Sequence, residues 1–301
     1  MRDRFPTCTT LSIGDGANDV NMITTAHVGV GISGLEGQQA ARSADFVIGQ
    51  FKFLKNLLFV HGREAYRKNA YLVCYNFYKN ALYVLPQYWF GFYSAFSGQT
   101  LYEPLIYQMY NIMFTSVPIV WFAVMDTQFI KNDLLTNTKH YRIGLKDQCF
   151  GTAVFWRWFT LGAIKALILM YICLYAMDIS LRPDGHMLSL YPDGAIVYAG
   201  VVLIANHKLF LEFNYISFHG PTLLIISVLL YFGFVAFESI PAVNFESTLG
   251  TFGPIFSSPL TYFALFFVVV INYILDRIIW YLLTILEERQ LEREKVVEVQ
   301  I

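Results

Sequence analysis

The chain has 301 residues, 56% apolar, 17% aromatic and only 14% charged, with a formal net charge of -1 at pH 7. Soluble domains carry roughly 25% charged residues, so this composition excludes an ordinary soluble protein and points to an integral membrane one. The balanced charge also argues against a nucleic-acid partner, which would require a Lys and Arg excess on one face.

Arg2, Asp3, Arg4 and Pro6 stand at the start with no apolar stretch behind them, so they do not form a secretory signal. A short β-rich run (9–13) follows, then a Gly/Asp/Asn turn, a helical run from Val20, a second strand (28–32), a helix through Ala40 and Ala41, and a third strand (45–48). Strands alternating with short helices predict a parallel α/β unit. About 50 residues bury too little surface to stand alone, so this unit reads as the end of a larger domain.

Residues 51–69 show a helical pattern carrying Lys52, Lys55, Arg63, Arg67 and Lys68. It leads without a breaker into the first long apolar segment, as a basic cytosolic stalk entering a membrane would. Six segments then have the ~20 residues that a bilayer crossing needs. They fall near 71–96, 104–125, 154–177, 195–213, 221–240 and 260–283.

The loop 126–152 holds Lys131, Lys139, Arg142 and Lys146, whereas the loops 97–103, 178–194 and 241–259 together hold only Arg182. By the positive-inside rule this places both termini in the cytosol. Residues 287–298 form a charged helix of mixed sign, read as a solvated extension of the last span.

Cys8, Cys74, Cys149 and Cys173 form neither a CxxC pair nor a disulfide framework and read as small buried hydrophobes. His27, His61, His140, His186 and His219 do not combine with cysteines or carboxylates at zinc-ligand spacing, so no transition-metal site is expected.

The most informative string is Gly14-Asp15-Gly16-Ala17-Asn18-Asp19-Val20, which sets two carboxylates and an amide on a glycine-hinged turn at the carboxyl end of a strand. Ligands of open α/β sheets bind at that edge. Carboxylates spaced in this way can hold a hard cation through oxygen, and Mg2+ commonly takes one or two of them together with waters and phosphate oxygens. An isolated Gly-Asp-Gly is an ordinary turn, so the full string carries the weight.

GDGANDV continues with Asn21-Met22-Ile23, VGVGISG (28–34), Glu36-Gly37, Gln39-Ala40, Ser43-Ala44-Asp45-Phe46 and Val60-His61-Gly62-Arg63. This series resembles the hinge and stalk of type-IV P-type ATPases, the phospholipid flippases, over nearly all of residues 9–126. Cation-pumping relatives typically have a proline soon after the second hinge aspartate, where this chain has Val20-Asn21-Met22.

The resemblance implies a mostly α-helical polytopic membrane protein with six transmembrane helices, preceded by the end of an α/β haloacid-dehalogenase-like phosphorylation domain. Residues 1–50 would be the carboxy-terminal part of that domain, 51–69 the stalk helix, 70–284 the six-span domain and 285–301 a cytosolic tail. Asp15 and Asp19 would coordinate the catalytic Mg2+, while Asn18 and Asp19 would also orient the phosphorylated loop and contribute to the ATP site. Phosphoryl transfer depends on such positioning and charge neutralisation.

In the first span, Asn76-Phe77-Tyr78-Lys79-Asn80 places an ammonium and two amides among apolar residues, with Asn76 and Asn80 on one helical face. A lysine there costs several kcal/mol unless it finds a partner, water or an interface. It either snorkels or belongs to a substrate path, and the similarity to the flippase FYKN segment favours the path.

Pro86 should bend or loosen this helix, as a hinge or as a packing kink. The second span has Tyr110-Asn111, Phe114-Thr115-Ser116 and Pro118, similar to the flippase segment; Asn111 either joins the path or glues helices together. Pro118 frees a backbone carbonyl. Asn206, His207, Lys208 and Glu212 are read as interfacial.

The Asp-Lys-Thr-Gly phosphorylation motif does not occur in these residues, so the chain alone is expected not to hydrolyse ATP and the missing upstream part of the same ATPase is a required partner. With that part, the resemblance implies an ATP-driven translocase of phospholipid from the exoplasmic to the cytosolic leaflet, assisted by an accessory glycosylated β-subunit. The rival readings are a cation-transporting P-type pump, which usually presents acidic residues in its path, and a non-catalytic membrane scaffold or subunit.

Overall fold

The computed structural model describes residues 8–34, 38–145, 147–179, 189–215, 217–240, 250 and 252–300. Arg2, Asp3, Arg4, Pro6, Glu36, Gly37, Lys146, Arg182 and His186, together with most of the loops 178–194 and 241–259, lie outside the described residues. The chain divides into two compact units, residues 1–68 with 128–149 and residues 69–127 with 150–301.

The first unit contains a three-stranded parallel sheet, β1 (Leu11–Gly14), β2 (Val28–Ile32) and β3 (Phe46–Ile48), in that spatial order. Its crossovers are the short helices α1 (Val20–Thr25) and α2 (Gln39–Ser43). Register runs Leu11 to Val28 and Val30 to Phe46. Ile23, Val30, Ala40 and Ile48 supply the buried core, one each from α1, β2, α2 and β3, as expected for a parallel unit whose sheet is covered by its crossover helices.

The stalk is helical without a break, but it is not a uniform α-helix. Residues 51–69 are a 3-10 turn (Phe51–Phe53), a short α3 (Leu54–Asn56) and a π-helical segment (Leu57–Gly62) before α4 (Arg63–Tyr93) begins. The wider π turns end at Gly62, where a Cβ would stand 3.2 Å from the Leu57 carbonyl oxygen. In the same unit, the segment after residue 127 folds into α7 (Lys131–Thr136), a 3-10 turn (Thr138–Tyr141) and α8 (Arg142–Leu145).

The Arg63 guanidinium donates to Glu64, to the Gln128 side chain at 2.6 Å and to the His140 carbonyl at 3.2 Å. Arg67 donates to the second oxygen of Glu64 at 2.9 Å. Burial lowers the Arg63 pKa against the opposing pull of Glu64.

The second unit is helical. The second apolar segment is α5 (Pro104–Met109), a π-helical turn (Tyr110–Phe114) and α6 (Ser116–Met125). Then come α9 (Thr152–Ile179), α10 (Leu190–Glu212), α11 (His219–Glu238), the short α12 (Phe252–Ser257) and α13 (Pro259–Gln300), which runs on through the charged tail as one helix.

Among the described residues, five stretches are long and apolar enough to cross a membrane: Pro104–Met125, Thr152–Ala176, Leu190–Glu212, His219–Glu238 and Pro259–Leu286. Together with the family relationship set out below, they define an integral, multi-pass membrane protein. The helix α4 is long enough but does not reach that hydropathy, because Asn76, Lys79, Asn80, Gln87 and several tyrosines dilute its apolar residues. It nevertheless runs unbroken through buried Pro86, so that proline does not interrupt the helix here.

Packing is densest around α10. Lipid-facing helices gain little from the hydrophobic effect, so close contact and hydrogen bonding hold them together. Gly162 on α9 lets the Tyr78 carbonyl approach, since a Cβ there would lie 2.7 Å from that oxygen. Tyrosine hydroxyls bond carbonyls across helices: Tyr75 to Ala205 at 3.0 Å, Tyr198 to Ile106 at 2.8 Å and Tyr231 to Ala195 at 2.5 Å.

Asn206 is not interfacial: it is 3% exposed and bonded inside the helix packing, because its place on α10 faces the broken second span. Cys8 is exposed rather than buried, since no apolar element flanks it, whereas Cys74 and Cys173 are buried as expected.

Candidate functional sites

The turn after β1 is organised by one carboxylate. Asp19 Oδ2 accepts from the backbone N–H of Asp15 at 3.2 Å and of Gly16 at 3.3 Å, closing the loop from within. Gly14 is required for this closure, because a Cβ there would collide with the Asp19 side chain. Asp15 and Asn18 are left exposed at the carboxyl edge of the sheet. Asp45 ties the neighbouring strand, accepting from the Gly29 N–H at 2.8 Å.

This donor set fits a hard divalent cation at Asp15, whose exposed carboxylate stands on a turn already closed by its neighbour. Among the described residues no group of three or more His, Cys, Asp or Glu gathers there or elsewhere. An ion at Asp15 would therefore complete its shell with water and phosphate oxygens, which is the habit of Mg2+.

In the second unit, the helical period turns the residues of the FYKN segment to different sides. Cys74, Tyr75, Tyr78, Lys79 and Leu82 face inward, while Asn76, Phe77, Asn80, Val84 and Tyr88 face outward. Asn111 joins the outward side, its Nδ2 lying 3.5 Å from Asn80 Oδ1. The structure thus brings Asn76, Asn80 and Asn111 onto one exposed surface.

Lys79 lies behind that surface and is 4% exposed. Its ammonium donates to Thr115 Oγ1 at 2.9 Å and lies 5.8 Å from the Tyr110 ring centroid. The Thr115 hydroxyl donates in turn to the Tyr110 carbonyl at 2.9 Å, and the Tyr110 hydroxyl donates to the Lys79 carbonyl at 3.2 Å. Among the described residues, no carboxylate lies within ion-pair distance of Lys79.

A second buried lysine is treated in the opposite way. Lys165, at mid-helix on α9, meets Asp276 Oδ2 of α13 at 2.6 Å. Asp276 Oδ1 is 3.6 Å from Lys208 of α10, which also pairs with Glu212 at 2.7 Å and lies 4.8 Å from the Trp158 ring.

Lys165, Asp276 and Asp126 went unnoticed in the sequence. Asp126, 2% exposed, accepts from the N–H groups of Asn214 and Tyr215, each at 2.9 Å. The available signal was simply an ionisable residue inside or at the end of an apolar run.

Residues 41–289 match the family model described as the phospholipid-translocating P-type ATPase C-terminal region, and the chain belongs to that family.

It is 43% identical over 207 residues to the phospholipid-transporting ATPase DRS2 of Saccharomyces cerevisiae, covering 68% of this chain and 15% of the relative. It is 37% identical over 231 residues to the human phospholipid-transporting ATPase IC, covering 76% and 18%. To the phospholipid-transporting ATPase C887.12 of Schizosaccharomyces pombe it is 38% identical over 240 residues, covering 78% and 19%. The chain thus corresponds to 15% to 19% of the length of these relatives.

Proposed function

We propose that the chain is the carboxy-terminal part of an ATP-driven phospholipid translocase that moves lipid from the exoplasmic to the cytosolic leaflet. On this reading α4 is the first of six spans, both termini are cytosolic, and the sheet carrying Asp15 is the end of a haloacid-dehalogenase-like phosphorylation domain.

The observation that carries the proposal is the uncompensated ammonium of Lys79, held by Thr115 just behind the amides Asn76, Asn80 and Asn111. A buried positive charge with no carboxylate beside it attracts an anion and repels a cation. A phosphodiester headgroup supplies that anion, and the three amides offer it donors along the exposed face. A cation pump would need the reverse arrangement, with carboxylates in the path.

At the other end, Asp15 would hold Mg2+, which when bound neutralises charge on the transferring phosphoryl group. Asp19 keeps the turn in shape for this, and Asn18 would orient the phosphorylated loop. ATP binding and the phosphorylated aspartate are assigned to upstream parts of the same polypeptide, and an accessory glycosylated β-subunit to the exoplasmic loops.

The test is phospholipid-stimulated ATPase activity of the full-length protein containing this segment. Asn111→Ala and Lys79→Ala should raise the half-saturating phospholipid concentration while leaving phosphorylation by ATP intact. Stimulation by a metal cation in place of lipid would refute the proposal.

A further inference from the structure

Pro118 has no N–H, so the Phe114 carbonyl four residues earlier loses its helical donor. In a bilayer that loss must be met from within the protein. The Ser227 hydroxyl on α11 donates to Phe114 O, and Asn206 Nδ2 on α10 donates to the same oxygen at 3.4 Å. Asn206 Nδ2 also donates to Ser227 Oγ at 3.2 Å and to the Val202 carbonyl at 3.0 Å, so its two hydrogens are shared among three acceptors and it braces Ser227 as well as Phe114 O. Both are buried, Ser227 at 1% and Asn206 at 3% exposure.

The rest of the break is met in the same manner. The Ile106 carbonyl accepts from Tyr198 at 2.8 Å, the Tyr107 carbonyl from Tyr83 at 2.5 Å, the Tyr110 carbonyl from Thr115 at 2.9 Å and the Ile112 carbonyl from Ser116. A π turn displaces the usual donors, and side chains replace them. Phe114 O differs in drawing donors from two spans at once.

What the break positions is the lipid-facing site itself. Thr115, immediately after Phe114, holds the Lys79 ammonium, and Asn111, within the π turn, meets Asn80. Straightening the span into a regular helix would rotate Asn111 and Thr115 relative to each other and separate one of them from its partner on α4.

We infer that Asn206 and Ser227 are positioning residues of the lipid path: by clamping the Phe114 carbonyl they hold the broken second span in the register that sets Thr115 under Lys79 and Asn111 against Asn80. This inference rests on the translocase reading. Neither residue touches the lipid; both act through the carbonyl they bind.

The experiment uses the full-length ATPase containing this segment, titrated with phosphatidylserine, phosphatidylethanolamine or phosphatidylcholine in mixed micelles. Loss of one net hydrogen bond predicts a rise of about threefold to tenfold in the half-saturating lipid concentration for Ser227→Ala, with phosphorylation by ATP unchanged. Ser227→Thr, which keeps the hydroxyl, should behave as wild type.

Pro118→Ala restores the helical N–H, so adding Ser227→Ala to it should cause no further shift and should rescue accumulation if the single variant folds poorly. An unchanged lipid response in Ser227→Ala, or an undiminished effect or absent rescue in the Pro118→Ala background, overturns the clamp. If Asn111→Ala shifts the lipid response and Ser227→Ala does not, the clamp fails and the translocase reading stands. A wild-type protein indifferent to phospholipid removes both.

Discussion

Lys165 and Asp276 meet at 2.6 Å in the interior of the helical unit, one from α9 and one from α13, while Lys79 sits on α4 with a hydroxyl as its hydrogen-bond partner. Two lysines of similar burial therefore have opposite electrostatic fates. The first is paired with a carboxylate inside the helix packing; the second has only the Thr115 hydroxyl and, on the proposed reading, awaits an anionic headgroup.

Breaking the neutralised pair should be costly in an asymmetric way. Asp276→Leu strands Lys165, whose other close neighbour is the Tyr78 ring at 5.5 Å, and should destabilise by about 3–5 kcal/mol. Lys165→Met should cost less, because Asp276 still has Lys208 at 3.6 Å. The double variant should regain much of the loss, read as thermal stability of the purified protein in detergent.

Asp126 ties the end of α6 to the segment after α10 through the backbone of Asn214 and Tyr215. Asp126→Ala removes the acceptor of those part-buried donors and should lower stability by about 1–2 kcal/mol. Asp126→Asn, which keeps an acceptor oxygen, should cost less. Thermal unfolding of the two variants side by side checks the order.

The carboxylates of the β1 turn should separate by phenotype. Asp15→Asn should leave the fold intact and abolish Mg2+-dependent phosphorylation of the full-length protein. Asp19→Ala should loosen the turn as well, because the amides of Asp15 and Gly16 lose their acceptor. Limited proteolysis together with phosphorylation by ATP distinguishes a lost ligand from a lost turn.

Much of this organisation was legible in the sequence. Strand and helix periodicities gave the parallel sheet, and apolar length gave the positions of the later spans. The Pro118 rule gave a free carbonyl, but not the identity of Ser227 and Asn206 as its donors, which lie 113 and 92 residues away. Nor could one helix face of α4 say that Lys79 turns inward to Thr115 while Asn80 turns outward to Asn111.

Lys165 and Asp276 were hidden for the same reason: each is a single charge in a long apolar run, and their pairing exists only across space, 111 residues apart. The helical continuity of the stalk was legible, but basic residues at helical spacing do not distinguish an α-helix from the 3-10 and π turns that form there.

The central claim is that the exposed amide face backed by Lys79 receives a phospholipid headgroup. Its most direct measurement is the phospholipid dependence of ATPase activity in full-length wild type, Lys79→Ala and Lys79→Arg, each with phosphorylation by ATP measured in parallel. Lipid stimulation is expected in wild type, with a several-fold higher half-saturating concentration in Lys79→Ala, partial retention in Lys79→Arg and equal phosphorylation in all three. Identical lipid curves for wild type and Lys79→Ala would contradict the claim.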